Sequence, residues 1–314
     1  MAEALVERLD RTIDVMLARG DATSALADAE LGPLAVLANE LRSCPDTRFK
    51  ARLRAQLEGK KTMSIVLEET VIREGFTTVT PYLMSRGTTL LDFLTKAFDA
   101  VETASAVTPQ HVHREVRIGN SMLMIHESSA EAAAVAPRSF HVFVPDVDAV
   151  FARAIAAGGK SLGNPENRPY GERSGFLEDP FGNYWFIGTS LGPTPVPEGL
   201  KTVTAYLHPP SAPSYIEFLT RAFGAVEEFR AEHQGVVMHA RVRIGDAAIE
   251  MGESPGRVEQ SSFYLYVADV DALYAQAIAA GARSIMPPAD QPYGDRLAVV
   301  EDSLGVGWSI ARPA

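Results

Sequence analysis

From residue 76 to residue 312, short stretches of alternating apolar and polar residues trade places with stretches of helical spacing. The alternation predicts a strand over 79–84, a helix over 88–99, and strands near 112–118 and 121–126. The same order returns as a strand over 139–144, a helix over 146–157, and strands near 160–164, 174–178 and 184–188. Each half thus reads as β-α-β-β-β twice over. Asp146 and Asp269 are suited to cap the second helix of each half. Ala-Gly pairs at 157–158 and 280–281 are suited to end it, because glycine accepts the left-handed turn. Residues 1–60 carry a different pattern. Leu5, Leu9, Ile13, Met16 and Leu17 recur at helical spacing, as do Leu34, Leu37 and Leu41, and then Phe49, Leu53 and Leu57. They predict an amphipathic helical arm that packs or dimerises, followed by a linker over 61–75.

The chain then repeats itself. VTPYL (79–83) matches VTAYL (203–207), and DFLTKAFDAVE (92–102) matches EFLTRAFGAVE (217–227). HREVRIGNS (113–121) matches HARVRIGDA (239–247), and FHVFVPDVDAVFARAIAAGGKS (140–161) matches FYLYVADVDALYAQAIAAGARS (263–284). PYGERSGFLEDPFGNYW (169–185) matches PYGDRLAVVEDSLGVGW (292–308). The offset stays between 123 and 126 residues, so two copies of one domain are expected, over 76–191 and 200–314. GPTPVPEG (192–199) is a short, proline-stiffened spacer between them.

The words TPYL, DFLTKAFDA, HREVRIG, VPDVDAVF and EDPFGNYW resemble those of the vicinal oxygen chelate superfamily, the glyoxalase/bleomycin-resistance/dioxygenase group, in its PhnB-like branch. The resemblance implies an α+β fold of two tandem domains. Each is a pair of βαβββ modules whose eight strands curl into a half-barrel, with helices on one face and a cleft on the other. It does not imply one chemistry. Members include isomerases, lyases, dioxygenases, thiol transferases and proteins that only sequester a drug, so the site must decide.

Alternation tells which side chains enter a cleft. Phe140, Val142 and Val144 fit the helix side of their strand, leaving His141 and Phe143 inward, with Tyr264 and Tyr266 at the same places in the second copy. The first strand of each copy offers Thr80, Tyr82 and Met84, or Thr204, Tyr206 and His208. HREVRIG sets His113, Glu115 and Arg117 on one face, and its partner sets His239, Arg241 and Arg243 there. Arginines on such a face often form solvated ladders, whereas His113 and His239 are site candidates. Tyr170 with Arg173, and Tyr293 with Arg296, flank a glycine bend that could close a cleft end. Trp185 and Trp308 fall on the core side. The candidate ligand-binding set is therefore Tyr82, His113, His141, Phe143, Tyr170, Arg173 and Phe186 in copy one. In copy two it is Tyr206, His239, Glu250, Tyr264, Tyr266, Tyr293 and Arg296.

The family's metalloenzymes draw ligands from the first, fourth, fifth and eighth strands of a domain. Read across copy by copy, those places hold Thr80, Met124, His141 and Phe186, and then Thr204, Glu250, Tyr264 and Ser309. A divalent ion needs three or four converging donors, and each copy supplies one good one, so neither a metal nor any other cofactor is expected. Only a different strand placement would let His113 and His126 join His141. No phosphate loop, nucleophile elbow or His-Glu-x-x-His motif is present.

Composition narrows the partners. Of 314 residues, 46% are hydrophobic and 22% charged, with a net charge of −11, which suits buried cores and disfavours nucleic acid and anionic membranes. The single cysteine, Cys44, excludes an internal disulfide. With no apolar run long enough to span a bilayer and no signal-like start, a cytoplasmic protein is expected. The expected function is metal-independent binding of a hydrophobic or aromatic small molecule, cationic ones included, such as a drug or toxin. The alternatives are a divalent-metal lyase or isomerase acting on a small oxygen-bearing substrate, and a scaffold or regulatory subunit; the expected partners are a small-molecule ligand and a second copy joined through the N-terminal helical arm.

Overall fold

The structure, a computed structural model, describes residues 72–87, 89–108, 111–128, 137–254 and 259–313. The expected helical arm, Cys44 and the linker up to residue 71 lie outside these residues. Four β-α-β-β-β modules follow one another. Module 1 is β1 (Val79–Arg86), α1 (Leu90–Phe98), β2 (Val101–Val107), β3 (His111–Ile118) and β4 (Ser121–Ser128). Module 2 is β5 (Ser139–Phe143), α2 (Val147–Ala156), β6 (Lys160–Arg168), β7 (Glu172–Glu178) and β8 (Tyr184–Ser190). Module 3 is β9 (Val203–Leu207), α3 (Ala212–Phe223), β10 (Val226–His233), β11 (Val236–Ile244) and β12 (Ala247–Met251). Module 4 is β13 (Ser262–Tyr266), α4 (Val270–Ala280), β14 (Arg283–Asp290), β15 (Arg296–Glu301) and β16 (Gly307–Arg312).

The expected local signals act as read. Asp146 accepts from the Ala149 amide at 3.0 Å and Asp269 from the Ala272 amide at 2.9 Å, capping α2 and α4. Gly158 and Gly281 take positive φ just beyond those helices. EDPFGNYW works as a structural knot. Asp179 takes the amides of Phe181 and Asn183, the Asn183 side chain and the Trp185 indole N–H. Asp302 repeats this with Leu304, Val306 and Trp308, and also accepts from the Tyr215 hydroxyl. The indoles so held are fully buried, Trp185 against Phe98 and Phe140, and Trp308 against Phe223 and Phe263. The strand β2 has no counterpart in the expected pattern. All seven of its residues are exposed at a sheet edge, so no buried face imprints alternation on VETASAV.

The pairing of modules corrects one expectation. Each half-barrel was to form within one copy. Instead, one eight-stranded sheet runs β14-β15-β16-β13-β1-β4-β3-β2 and the other β10-β11-β12-β9-β5-β8-β7-β6. Module 1 therefore shares a sheet with module 4, and module 2 with module 3. The seams are antiparallel: Thr80 opposite Tyr264 in one, His141 opposite Thr204 in the other. The cause lies on the helix side. Within copy one, α1 packs on α2 and the two modules share one core, including Leu83, Phe93, Leu94, Ile125, Val142 and Trp185. Copy two builds the matching core with α3 and α4. Helix packing thus unites each copy, while the open edges of β1 and β5 are satisfied by strands of the other copy. Val79 and Val203 cross over, each buried in the opposite copy's core. Tight turns at Gly119 and Gly245 complete the exchange. Asn120 Oδ1 accepts from the Thr202 amide at 2.8 Å and Asp246 Oδ1 from the Thr78 amide at 2.7 Å. A Cβ on either glycine would lie 2.2 Å from the threonine hydroxyl. No helix among the described residues is long and apolar enough to cross a membrane, which says nothing of a strand-built span.

Candidate functional site

Because the sheets mix copies, so do the clefts. Cleft A, on the sheet of modules 1 and 4, gathers Tyr82, His113, Met124, Tyr264 and Tyr266, with Tyr293 at its rim. Cleft B, on the sheet of modules 2 and 3, gathers His141, Phe143, Phe186, Tyr206, His239 and Glu250. Ten of the fourteen expected site residues are thereby redistributed between the two clefts, not discarded; Tyr170, Arg173, Tyr293 and Arg296 are the exceptions. His113 and His126 share cleft A while His141 sits in cleft B, so these three histidines do not converge.

Cleft B has a polar spine. His141 is 8% exposed, Glu250 3% and Glu172 8%. His141 donates from Nδ1 to Glu250 Oε2 at 3.0 Å and from Nε2 to Glu172 at 3.3 Å. The second oxygen of Glu250 lies 3.3 Å from His239 Nε2, and the Tyr206 hydroxyl lies 3.3 Å from His239 Nδ1. A tautomer with the proton on Nε2 satisfies both His239 contacts. Burial alone would depress the His141 pKa, but the charge of Glu250 and the bonds to Glu172 and Glu250 reverse this and raise it to about 10. Burial would likewise raise Glu250, but His141 and His239 hold it down to about 2. His141 and Glu250 therefore form a buried ion pair, with a second carboxylate on the far side of the imidazolium. At the other end Glu259 accepts from Ser139 at 2.7 Å and lies 3.2 Å from His208 Nδ1.

Around this spine stand rings. Phe176 and Phe186 stack at 4.4 Å and 6°. Phe186 meets Tyr206 at 5.2 Å, and Phe143 lies 4.0 Å from His141. Glu172 reaches inward only because residue 188 is glycine: a Cβ there would stand 2.5 Å from Glu172 Oε1.

Cleft A repeats the layout with other chemistry. Tyr264 takes the place of His141 and donates to Asp295 at 2.9 Å, as His141 does to Glu172. Tyr82 lies 3.2 Å from His113 Nδ1, as Tyr206 does from His239. Met124 stands where Glu250 does, and is buried. Burial pushes Tyr82 up to about 12, helped by nearby Tyr293, and raises Tyr264, with the bond to Asp295 adding to it.

Two expected pairs fall at the rim of the clefts or beyond it. Tyr170 is 72% and Tyr293 65% exposed. Arg173 and Arg296 turn to the helix side, each gripping a carboxylate in the first turn of a helix: Asp148 at 2.6 and 2.7 Å, Asp271 at 2.6 and 2.7 Å. The bend does deliver an inward group, but it is the acid between them, Glu172 or Asp295. Both copies carry an acid at that one place, PYGE and PYGD, which was the available signal. Phe176 was missed because a bulged pairing with β6 blurs its alternation.

The family's metal positions regroup with the sheets. Cleft A holds Thr80, Met124, Tyr264 and Ser309 there, and cleft B holds His141, Phe186, Thr204 and Glu250. Two good donors do meet in cleft B, which the copy-by-copy reading could not see. They are spent on each other, and a stacked phenylalanine fills a third position, so the set does not fit a divalent ion. Among the described residues, no group of three or more His, Cys, Asp and Glu is placed to hold a metal ion. A small pocket lies at the seam between copies, lined by Pro81, Val203, Thr204, Ala205 and Phe263 among others.

Comparison with known proteins agrees with the architecture. Residues 87–187 and 209–310 match the family model described as Glyoxalase/Bleomycin resistance protein/Dioxygenase superfamily. A Mycobacterium bovis protein named "Putative glyoxylase CFP32" is 30% identical over 185 residues, 55% of this chain and 69% of that protein. A Mycobacterium tuberculosis protein of undescribed role is 33% identical over 110 residues, 31% of this chain and 65% of that one, so the chain spans about two thirds of such relatives. Among solved structures, glyoxalase I from Zea mays superposes with a TM-score of 0.56 at 15% identity, covering 74% of this chain and 92% of that one. A Bacillus subtilis protein described as a "putative dioxygenase" gives 0.51 at 16%, covering 76% and 86%. At such identities these structures speak for the fold alone.

Proposed function

Since the chain belongs to the glyoxalase/bleomycin resistance protein/dioxygenase superfamily, a fold that hosts both catalysts and sequestering proteins, we propose that it is a metal-independent small-molecule binding protein whose cleft B holds a flat organic cation. One observation carries this reading. Two buried carboxylates, Glu172 and Glu250, face a single imidazolium, His141, beneath a wall of stacked rings. Those three groups by themselves leave one formal negative charge over in a site of low dielectric, where a cation gains most. The faces of Phe176, Phe186 and Tyr206 add stacking and cation–π attraction. The net charge of −11 draws cations to the surface from outside. Such a guest fits the sequestration of a drug or toxin.

The spine is not arranged for proton abstraction. A general base works best with a pKa near the working pH, and Glu250 is held at about 2 by its bond to His141. The pair therefore fixes charge in place. The test is calorimetric titration with 9-aminoacridine, a planar ring system carrying one positive charge at neutral pH, alongside a panel of related dyes. At least one should bind at micromolar concentration, and the Glu172→Gln variant should bind it at least tenfold more weakly. Absence of binding across the panel would overturn the proposal. So would a stoichiometric metal in the purified protein whose removal by chelator abolishes binding.

A further inference from the structure

Cleft A is covered by the chain itself. The segment Ile72–Phe76 precedes β1 and folds across the cleft face in a turn, with the Phe76 amide donating to the Arg73 carbonyl at 3.0 Å and Gly75 at a φ of +84°. Arg73 reaches Glu115 through two bonds, Nη1 to Oε1 and Nη2 to Oε2, the latter at 2.9 Å. Its guanidinium lies 4.9 Å from the centre of the Phe76 ring. Phe76 meets Tyr266 edge-on at 5.8 Å and is buried with Met122, Met124 and Tyr266, flanked by Tyr82 and Tyr264. This cluster is separate from both helix-side cores. What fills cleft A is thus a cation joined to an aromatic ring.

We infer that cleft A is a second, latent site for an organic cation, held shut by the Ile72–Phe76 strap, which occupies it as an internal ligand. Glu115 is 8% exposed, and withdrawing Arg73 leaves its buried carboxylate without that partner, so an incoming amidinium or ammonium takes the same place. The guest's ring replaces Phe76 against Tyr266, Met122 and Met124. A tethered ligand competes at high effective concentration, so free ligand reaches cleft A only when the strap is weakened. Copy two makes the same turn, Leu200 amide to Pro197 carbonyl at 3.1 Å. There proline and leucine stand in place of Arg73 and Phe76, and Arg241, in place of Glu115, pairs with Glu228. Cleft B therefore has no strap-borne arginine and aromatic ring of this kind.

The ligand class is the one proposed for cleft B, reached here from a different observation, and the test keeps the two apart. The first readout needs no ligand. Hydrogen peroxide should oxidise Met238, 57% exposed, at least tenfold faster than Met122 and Met124 in the wild-type chain. In Phe76→Ala, and in the milder Arg73→Gln, Met122 and Met124 should oxidise at least fivefold faster than in wild type while Met238 is unchanged. The second readout is equilibrium dialysis with 9-aminoacridine. Wild type should bind one equivalent, the strap variants two, and Glu115→Gln in the Phe76→Ala background one again. Wild-type methionines as reactive as Met238, variant methionines as protected as in wild type, or no Glu115-dependent gain in either strap variant would overturn the inference. A wild-type chain that binds none sinks the function proposed for cleft B alone. The methionines and a single Glu115-dependent equivalent in the variants would still support the strap.

Discussion

The two clefts share one scaffold and differ in what they bury. Both keep a tyrosine beside a histidine, Tyr82 with His113 and Tyr206 with His239. Both aim an acid from the glycine bend at the first strand of a module, Asp295 at Tyr264 and Glu172 at His141. Cleft A then closes on methionines and on Phe76 with the Arg73–Glu115 pair, whereas cleft B adds Glu250 and turns its own imidazole into a cation. The smaller acid coexists with Ala311, while the longer one needs Gly188 at the same place. The comparison teaches that a duplicated fold can hold its shape constant while a handful of inward residues change the electrostatics of each cleft. Breaking a buried ion pair from one side is expensive, so cleft B is the fragile one.

That difference sets the scale of what substitution should do. Glu250→Leu strands the His141 charge and should destabilise the protein by about 3–5 kcal/mol, whereas the matching Met124→Leu should cost less than about 1.5 kcal/mol. Chemical denaturation of both variants measures this. The exchange His141→Tyr with Glu250→Met copies cleft A and should recover most of the loss; equal costs at the two positions would break the comparison.

The pair also sets a pH dependence. His141 moves from 6.5 when unfolded to about 10 when folded, so its contribution is complete below pH 6.5 and is lost as pH rises towards 10. Glu250 moves from 4.5 to about 2, so its contribution is complete above pH 4.5 and is lost as pH falls towards 2. Stability should therefore plateau between pH 4.5 and 6.5 and decline on the alkaline side by on the order of 1 kcal/mol per pH unit. The His141→Tyr, Glu250→Met exchange should flatten that slope, as read by denaturation midpoints across pH.

Gly188→Ala pushes Glu172 off His141 and should cost about 1–3 kcal/mol, the penalty of a disturbed buried hydrogen bond. Ala311→Gly in cleft A removes only a methyl group and adds chain freedom, and should cost about 1 kcal/mol or less. The smallest effects belong to the exposed rim. Tyr170→Ala should stay within about 0.5 kcal/mol and leave ligand titrations of cleft B unchanged. A tenfold weaker affinity in that variant would return Tyr170 to the site.

Much of this was legible from residue order. The repeat, the four modules, the caps at Asp146 and Asp269 and the core tryptophans follow from short-range rules, because capping and alternation act within a few residues. Alternation also identified His141, Phe143, Tyr206, Tyr264 and Tyr266 as inward. It did not find β2, whose exposed edge carries no pattern, and it preferred the tyrosine and arginine of PYGER to the acid between them. A bend breaks the period-two rule, so which of its side chains points inward depends on the strand it leads into.

The sequence by itself determined the modules and the chemistry each strand could offer. Only the tertiary structure decided which strands share a cleft. Copy one has His141 and copy two has Glu250, and neither copy by itself shows an ion pair. The pair exists because helix packing joins modules within a copy while open strand edges join modules across copies. Residues more than a hundred positions apart then meet at 3.0 Å. Local patterns carry no information on which of two similar edges a strand will take, because that choice rests on the summed packing of whole modules.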